Sequence, residues 1–441
     1  MGNSGISGIS ARELAAATPA TRDRYVDLLR VASLGVVVLG HWLMAAVTSD
    51  GSVGNLLAVV PELQVVTWAF QVMPVFFFVG GFSHALAHRS RPQYAAFLRA
   101  RLQRLLRPTM VFVGVWGAAA LVIQLLGADG GLTGVALRLV TQPLWFIGIY
   151  LAMVAFTPPL LTLHERWGWS AFGALVGGAV AVDVLRFAFD VPFVEFLNFA
   201  FVWLAIHQLG FLRADGMIRL PGALAAGGLL GAGLLVALGP YPLSMVGMPG
   251  EKVSNMAPPT LALLCHGLWL VGAVELLRGP GARFAARAGV WHKVVAANGI
   301  AMTAFLWHLT AMLGVYGALL ALDVTLPAPA TSAWWAQVPL RFAAAAVLTA
   351  LLVAAFRRFE RPAPAAPATG SGGLPAAVGI TLALFGVLGL SMTGFAGLLD
   401  GHAATLIAVR VTAPAAVTMA LVGWLLVERA GRVGNPGKRS T

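Results

Sequence analysis

From residue 30 onward the chain alternates between long apolar runs and short polar breaks. Twelve of the runs reach about 20 residues, the length a helix needs to cross a hydrocarbon core about 30 Å thick. They predict membrane spans over residues 30–48, 63–86, 108–126, 143–162, 169–187, 194–212, 220–238, 259–277, 294–321, 336–357, 374–392 and 406–427. The expected fold class is all-α, a polytopic integral membrane helical bundle. Two breaks organise it. Residues 358–373, RFERPAPAAPATGSGG, form a Pro/Ala/Gly linker that separates a ten-span core, 30–357, from two additional C-terminal helices, 374–427. Tails over 1–29 and 428–441 complete the chain. Residues 239–258, GPYPLSMVGMPGEKVSNMAP, are too polar to cross and are expected to fold back over the outer mouth of the bundle.

Composition narrows the class further. With 59% hydrophobic and 10% charged residues spread along the whole length, a soluble enzyme on a single anchor is excluded, and so is a disordered chain. The one cysteine, Cys265, cannot form an internal disulfide, and no Cys/His spacing suggests a metal site. A net charge of +12 would suggest nucleic acid in a soluble protein, but topology accounts for it here. With the N-terminus inside, 23 of the 29 Lys and Arg fall in the two tails and the even-numbered connections, whereas the outer loops carry Arg138 and Lys252. The positive-inside rule therefore predicts a multi-pass protein of the inner (plasma) membrane, both termini cytoplasmic, with the lipid bilayer as partner and no nucleic acid. The first 29 residues lack an apolar stretch with a cleavage site, so no removable signal peptide is expected.

Polar residues inside hydrocarbon are costly unless paired, solvated or facing a cavity, so chemistry is sought there. In the first span, RYVDLLRVASLGVVVLGHWL, Arg30 and His41 are eleven residues apart. Eleven steps of 100° bring them within roughly 20° of one face, about 16 Å apart along the axis. Asp27 falls near the same stripe. Either this is a functional line of groups, or Asp27 and Arg30 form an interfacial pair and His41 is a bonded core histidine. His308 also lies near mid-membrane, and meets His41 only if the first and ninth spans are neighbours. His207, His266 and Cys265 read as core residues, Asp183 and Arg186 as an ion pair, and Arg341 and Arg410 as side chains reaching the outer surface. Arg101, Arg104 and Arg107 recur at intervals of three, which suggests one helix face serving either as a phosphate clamp or as a topology signal touching anionic lipid.

These residues carry a resemblance. An Arg, ten residues and a His within the first span is similar to the signature of the acyltransferase family 3 membrane proteins. PVFFFVGGF in the second span resembles that family's FF-x-x-SG-[FY] run, RARLQRLLRP its basic loop, and GIAMTAFLWHLTAM its late segment ending near His308. Gly80 stands where the family often has Ser, so no role of that hydroxyl carries over. The resemblance spans roughly residues 25–358. It implies an enzyme that moves an acyl group from a cytoplasmic acyl-CoA, as co-substrate and with no bound cofactor, to a hydroxyl of an envelope glycan, lipid or related acceptor. His41 is the candidate general base, since an imidazole titrating near 6.5 suits that transfer, and His308 its candidate partner. Arg30, Arg101, Arg104 and Arg107 are the candidate donor-binding groups, with Asp27 in support. The rival class is a twelve-span proton-coupled secondary transporter, with Asp27, His41 and His308 as a relay. Against it stand the absence of a Gly-x-x-x-Asp-Arg pattern after the second span and a linker placed after ten spans.

Overall fold

The computed structural model describes residues 11–430 apart from 129, 249, 361–371, 400, 402, 407 and 408. Most of the expected linker, the C-terminal tail beyond 430 and the first ten residues therefore lie outside the described residues. Twelve principal helices make up the bundle: α1 Arg24–Met44, α2 Met73–Ser90, α3 Tyr94–Leu125, α4 Gln142–Trp167, α5 Trp169–Phe189, α6 Asn198–Ala214, α7 Pro221–Leu238, α8 Leu261–Leu276, α9 Ala301–Ala321, α10 Ser332–Phe356, α11 Gly373–Thr393 and α12 Ala413–Ala430. Among the described residues, 11 helices are long and apolar enough to cross a membrane. The exception, α8, qualifies only together with the short helix Arg278–Ala286, from which it is bent by 58°. The chain is an all-α polytopic membrane bundle.

Several boundaries differ from those read off hydropathy, each for a local reason. The apolar run 294–321 is two helices, Ala288–Asn298 and α9, because Gly299 and Ile300 interrupt it and a distant carboxylate caps the second piece. α1 stops at Met44, where Ala45–Val47 turns back to pair with Val53–Asn55. α12 starts at Ala413, since Ala403–Leu406 and Val409–Thr412 pair as a second antiparallel hairpin. Conversely, α3 starts well before its apolar run, so RARLQRLLRP is a helical extension carrying cations beyond the hydrocarbon-length segment. Pro108 sits inside that helix without ending it.

The bundle has a basic end, where α2, α4 and α6 finish, and an opposite end bearing the two hairpins and the 239–260 loop. At the basic end Arg89 donates to both oxygens of Asp215 at 2.6 and 3.0 Å, and His164 Nε2 donates to Asp215 at 3.1 Å. This ties the ends of α2, α4 and α6 together. The Arg89 guanidinium holds the Asp215 carboxyl below its ordinary value of 3.8. A lowered folded value means that the contribution is present above the unfolded value and disappears as pH falls through the folded one. The apparent unfolding temperature in detergent is thus expected to drop below about pH 4, and to drop less in Asp215→Asn. Alongside, Arg213 of α6, only 5% exposed, pairs with Asp23 at 2.8 Å and with Glu275 of α8 at 2.7 Å. Asp23 in turn caps α1, accepting from the amides of Tyr25 and Val26.

α2 and α6 cross at Gly81 and Gly210. A Cβ on Gly81 would overlap the His207 carbonyl, and one on Gly210 would overlap the Phe78 carbonyl and the Phe82 amide. The backbones touch, and neither position has room for a side chain.

At the opposite end the segment after α7 folds back onto the short helices Pro61–Val66 and Thr67–Phe70. Trp68 donates to the Leu243 carbonyl and Gln71 to that of Met245. Two expectations fail here. Asp183 makes no direct bond to Arg186: its oxygens accept from Asn198, Tyr241 and the Leu261 amide, and Arg186 acts on it only as a charge at longer range. Arg341 does not reach the surface either. It is 7% exposed, donating to the Tyr316 hydroxyl and the Trp334 carbonyl with its guanidinium over the Trp334 ring.

α11 and α12 pack on each other and dock on the core through α4 and α3. Leu388 of α11 fills the space a side chain at Gly148 would take, and Gln124 of α3 donates to the Phe395 carbonyl and accepts from the Leu399 amide.

Candidate active site

A cavity of about 1080 Å³ lies at the basic end. Exposed Ser90 and Arg91 are at its rim; Arg22 and Arg30, with Arg99, Arg101 and Arg104 of α3, make its charge mainly positive, against the one carboxylate of Glu360; Leu34, Phe76 and Phe146 form its apolar interior. Arg30 and Arg101 are held by one residue of α2: Arg30 donates to the Ser83 hydroxyl at 2.8 Å and Arg101 to the Ser83 carbonyl at 3.3 Å. Two guanidiniums fixed in this way leave further donors free for an anion.

Asp27 is buried behind this group rather than in the cavity wall. Its main partner is Arg22, which donates to both carboxylate oxygens at 2.6 and 3.0 Å, while Arg30 approaches at 3.4 Å. Arg107 does not line the cavity. Residues three apart on a helix drift by about 60° per step, so Arg107 lies roughly 120° round α3 from Arg101, and the three arginines do not share one face.

The first and ninth helices are neighbours, and His41 meets His308. His41 Nδ1 and His308 Nε2 are 3.3 Å apart, with ring centroids separated by 5.1 Å. Carbonyls set both tautomers. His41 Nδ1–H donates to Val37 O at 2.9 Å, and His308 Nδ1–H donates to Phe305 O at 2.5 Å. In the neutral rings, His308 Nε2 is therefore an acceptor facing the His41 N–H, and His41 Nε2 carries a lone pair with no partner among the described residues. His308 is fully buried, whereas His41 is partly exposed. The cavity stops at Leu34, about two helical turns from His41 on the same face of α1. Its inner wall nevertheless reaches the pair, since Phe146 packs on Phe305 and Phe305 stacks on the His308 ring.

α9 is anchored from a distance. Glu360, expected within the linker, ends a short 3-10 turn, Arg357–Glu360, after α10. Its carboxylate accepts from the amides of Met302 and Thr303, both at 3.0 Å, and from the Thr303 hydroxyl at 2.7 Å. A carboxylate on the first turn satisfies orphan donors and complements the helix dipole. Glu360→Ala is expected to cost about 1–3 kcal/mol, read as a lower unfolding temperature in detergent. An unchanged temperature would show that the cap contributes nothing.

Three groups are not singled out by sequence: Tyr150 on the cavity wall and, buried behind it, His84 and, in any role but that of core residue, His207. Tyr150 lines the cavity, and His84 joins it to His207 through bonds of 2.9 and 3.0 Å. A tyrosine and two histidines at membrane depth are the signal that could have marked them, because each needs a partner there.

A helical membrane bundle with a cationic cavity at one end and a paired imidazole farther along the same helix face suits group transfer. Residues 23–358 match the family model described as an acyltransferase domain, and the chain belongs to acyltransferase family 3. No curated protein and no solved structure matches it.

Proposed function

We propose that this acyltransferase takes its acyl group from a cytoplasmic acyl-CoA and delivers it to a hydroxyl of an envelope glycan, lipid or related acceptor. The observation that carries this reading is the joint placement of the Arg30–Ser83–Arg101 group on the cavity and of the His41–His308 pair beyond its apolar end. The positive-inside pattern supports a cytoplasmic basic end, with both termini on that side. In this reading the phosphates of the donor lie on Arg30, Arg101 and Arg104, and the thioester arm extends past Leu34 and Phe146. The acceptor hydroxyl approaches His41 from the other side. His41 Nε2 removes its proton as the oxygen attacks the thioester carbonyl. The new C–O bond forms, the C–S bond breaks, and the thiolate leaves with coenzyme A. The imidazolium so formed still donates through Nδ1 toward Val37 and His308, so His308 is the positioning partner of the base.

The test is transfer of radiolabelled acetyl and longer acyl groups from coenzyme A into lipid and glycan extracts of membranes that contain the protein, against membranes without it. Protein-dependent labelling is expected, and the labelled fraction identifies the acceptor. No protein-dependent labelling from any acyl-CoA, with lipid and glycan acceptors present, would overturn the donor assignment.

A further inference from the structure

The arginines and Glu360 account for the charged part of the cavity, and the His41–His308 pair lies beyond it. Neither uses the buried chain that joins α4, α2 and α6. Tyr150 Oη is 2.9 Å from His84 Nε2, and His84 Nδ1 is 3.0 Å from His207 Nε2. Both imidazoles are fully buried, and the close crossing at Gly81 and Gly210 is what brings their helices together. Aromatic rings enclose them: Phe97 beside His84, Phe211 beside His207, and Phe76 and Phe146 beside Tyr150.

The direction of this chain follows from its far end. His207 Nδ1 is buried with no partner among the described residues. If the protons ran outward from Tyr150, so that it donated to His84 and His84 to His207, that nitrogen would be a buried N–H without an acceptor. Run the other way, His207 Nε2–H donates to His84 Nδ1 and His84 Nε2–H donates to the Tyr150 oxygen. The orphan is then only an unused lone pair, the cheaper of the two states. Tyr150 is thereby left with its own hydroxyl hydrogen unspent, on a side chain that lines the cavity beside Arg101.

We propose that Tyr150, oriented by His84 and His207, donates its hydroxyl to a carbonyl oxygen in the thioester arm of the acyl donor. This rests on the acyl-CoA reading and adds a second recognition element to it. A neutral phenol between Phe76 and Phe146 is matched to a neutral carbonyl, whereas the guanidiniums are matched to phosphates. The position of Gly80 agrees with such a role. A Cβ there would lie 3.8 Å from Tyr150 Cε2, an ordinary contact, so nothing at position 80 crowds the ring.

The experiment is binding of two probes to the purified full-length protein, acetyl-CoA and adenosine 3′,5′-bisphosphate, which has phosphates but no thioester arm. Tyr150→Phe should weaken acetyl-CoA about five- to tenfold and leave the bisphosphate unchanged, while Arg101→Gln weakens both. In turnover, Tyr150→Phe should raise the KM for donor with kcat unchanged, as for an interaction made equally before and during reaction. His84→Phe should reproduce the shift, and the double variant should add nothing to it. Unchanged acetyl-CoA affinity in Tyr150→Phe, or equal loss of both probes, would overturn the role of Tyr150 alone. A wild-type protein that binds neither probe would overturn the acyl-CoA reading itself.

Discussion

His41→Ala is expected to lower acyl transfer by at least about 10²-fold while acyl-CoA binding stays at the wild-type level. Binding survives because the cavity ends at Leu34 and none of its lining residues is His41. Chemistry fails because no other described side chain offers an unshared imidazole lone pair beside it: His308 Nε2 already faces His41 Nδ1, and its own Nδ1 is held by Phe305. His308→Ala should cost less, since Val37 still fixes the tautomer of His41. Transfer rates at matched protein levels, with donor affinity measured separately, decide the matter. Equal rates in His41→Ala would remove it as the base, and a parallel loss of donor binding would make it a structural residue.

Gly81→Val is expected to prevent accumulation of folded protein. The new side chain would have to occupy the space of the His207 carbonyl, so α2 and α6 must separate and much of their packing is lost. Overpacking in a rigid core costs typically 1–3 kcal/mol, and a backbone collision that no rotamer relieves lies beyond that range, at more than about 4 kcal/mol. Gly80→Ala is the matched control, because its Cβ meets only Tyr150 Cε2 at an ordinary 3.8 Å. Size-exclusion profiles of the two variants in mild detergent should show a normal peak for Gly80→Ala and little or none for Gly81→Val. A normal peak for both would refute the close crossing.

The bundle was legible in the sequence because hydrocarbon demands long apolar helices, and length alone finds them. The Arg30–His41 stripe was legible for a similar reason: it is a property of one ideal helix. What escaped depended on neighbours. His41 and His308 can each be assigned a depth from the chain, but their contact requires α1 beside α9. His84 and His207 become a pair only because two glycines let α2 and α6 touch. Spacing misled at Arg107, where intervals of three drift off the face that intervals of three and four would keep. It misled also at Asp183, whose direct hydrogen-bond partners are neutral groups of other segments rather than the nearest charge in sequence. Glu360 was hidden by composition. It opens a Pro/Ala-rich stretch, yet its carboxylate caps a helix that begins 59 residues earlier, at Ala301.

The docking of α11 on α4 bears on biogenesis. Gly148 leaves the chain early in synthesis and Leu388, which covers it, about 240 residues later. At about 5–20 residues per second that interval is roughly 12–50 s, during which the α4 groove must face lipid or a transient occupant. α11 therefore covers the α4 groove only after the ten-helix core has been made. A nascent chain halted at the linker would leave the ribosome with its acyltransferase domain complete in sequence and unfinished in the membrane.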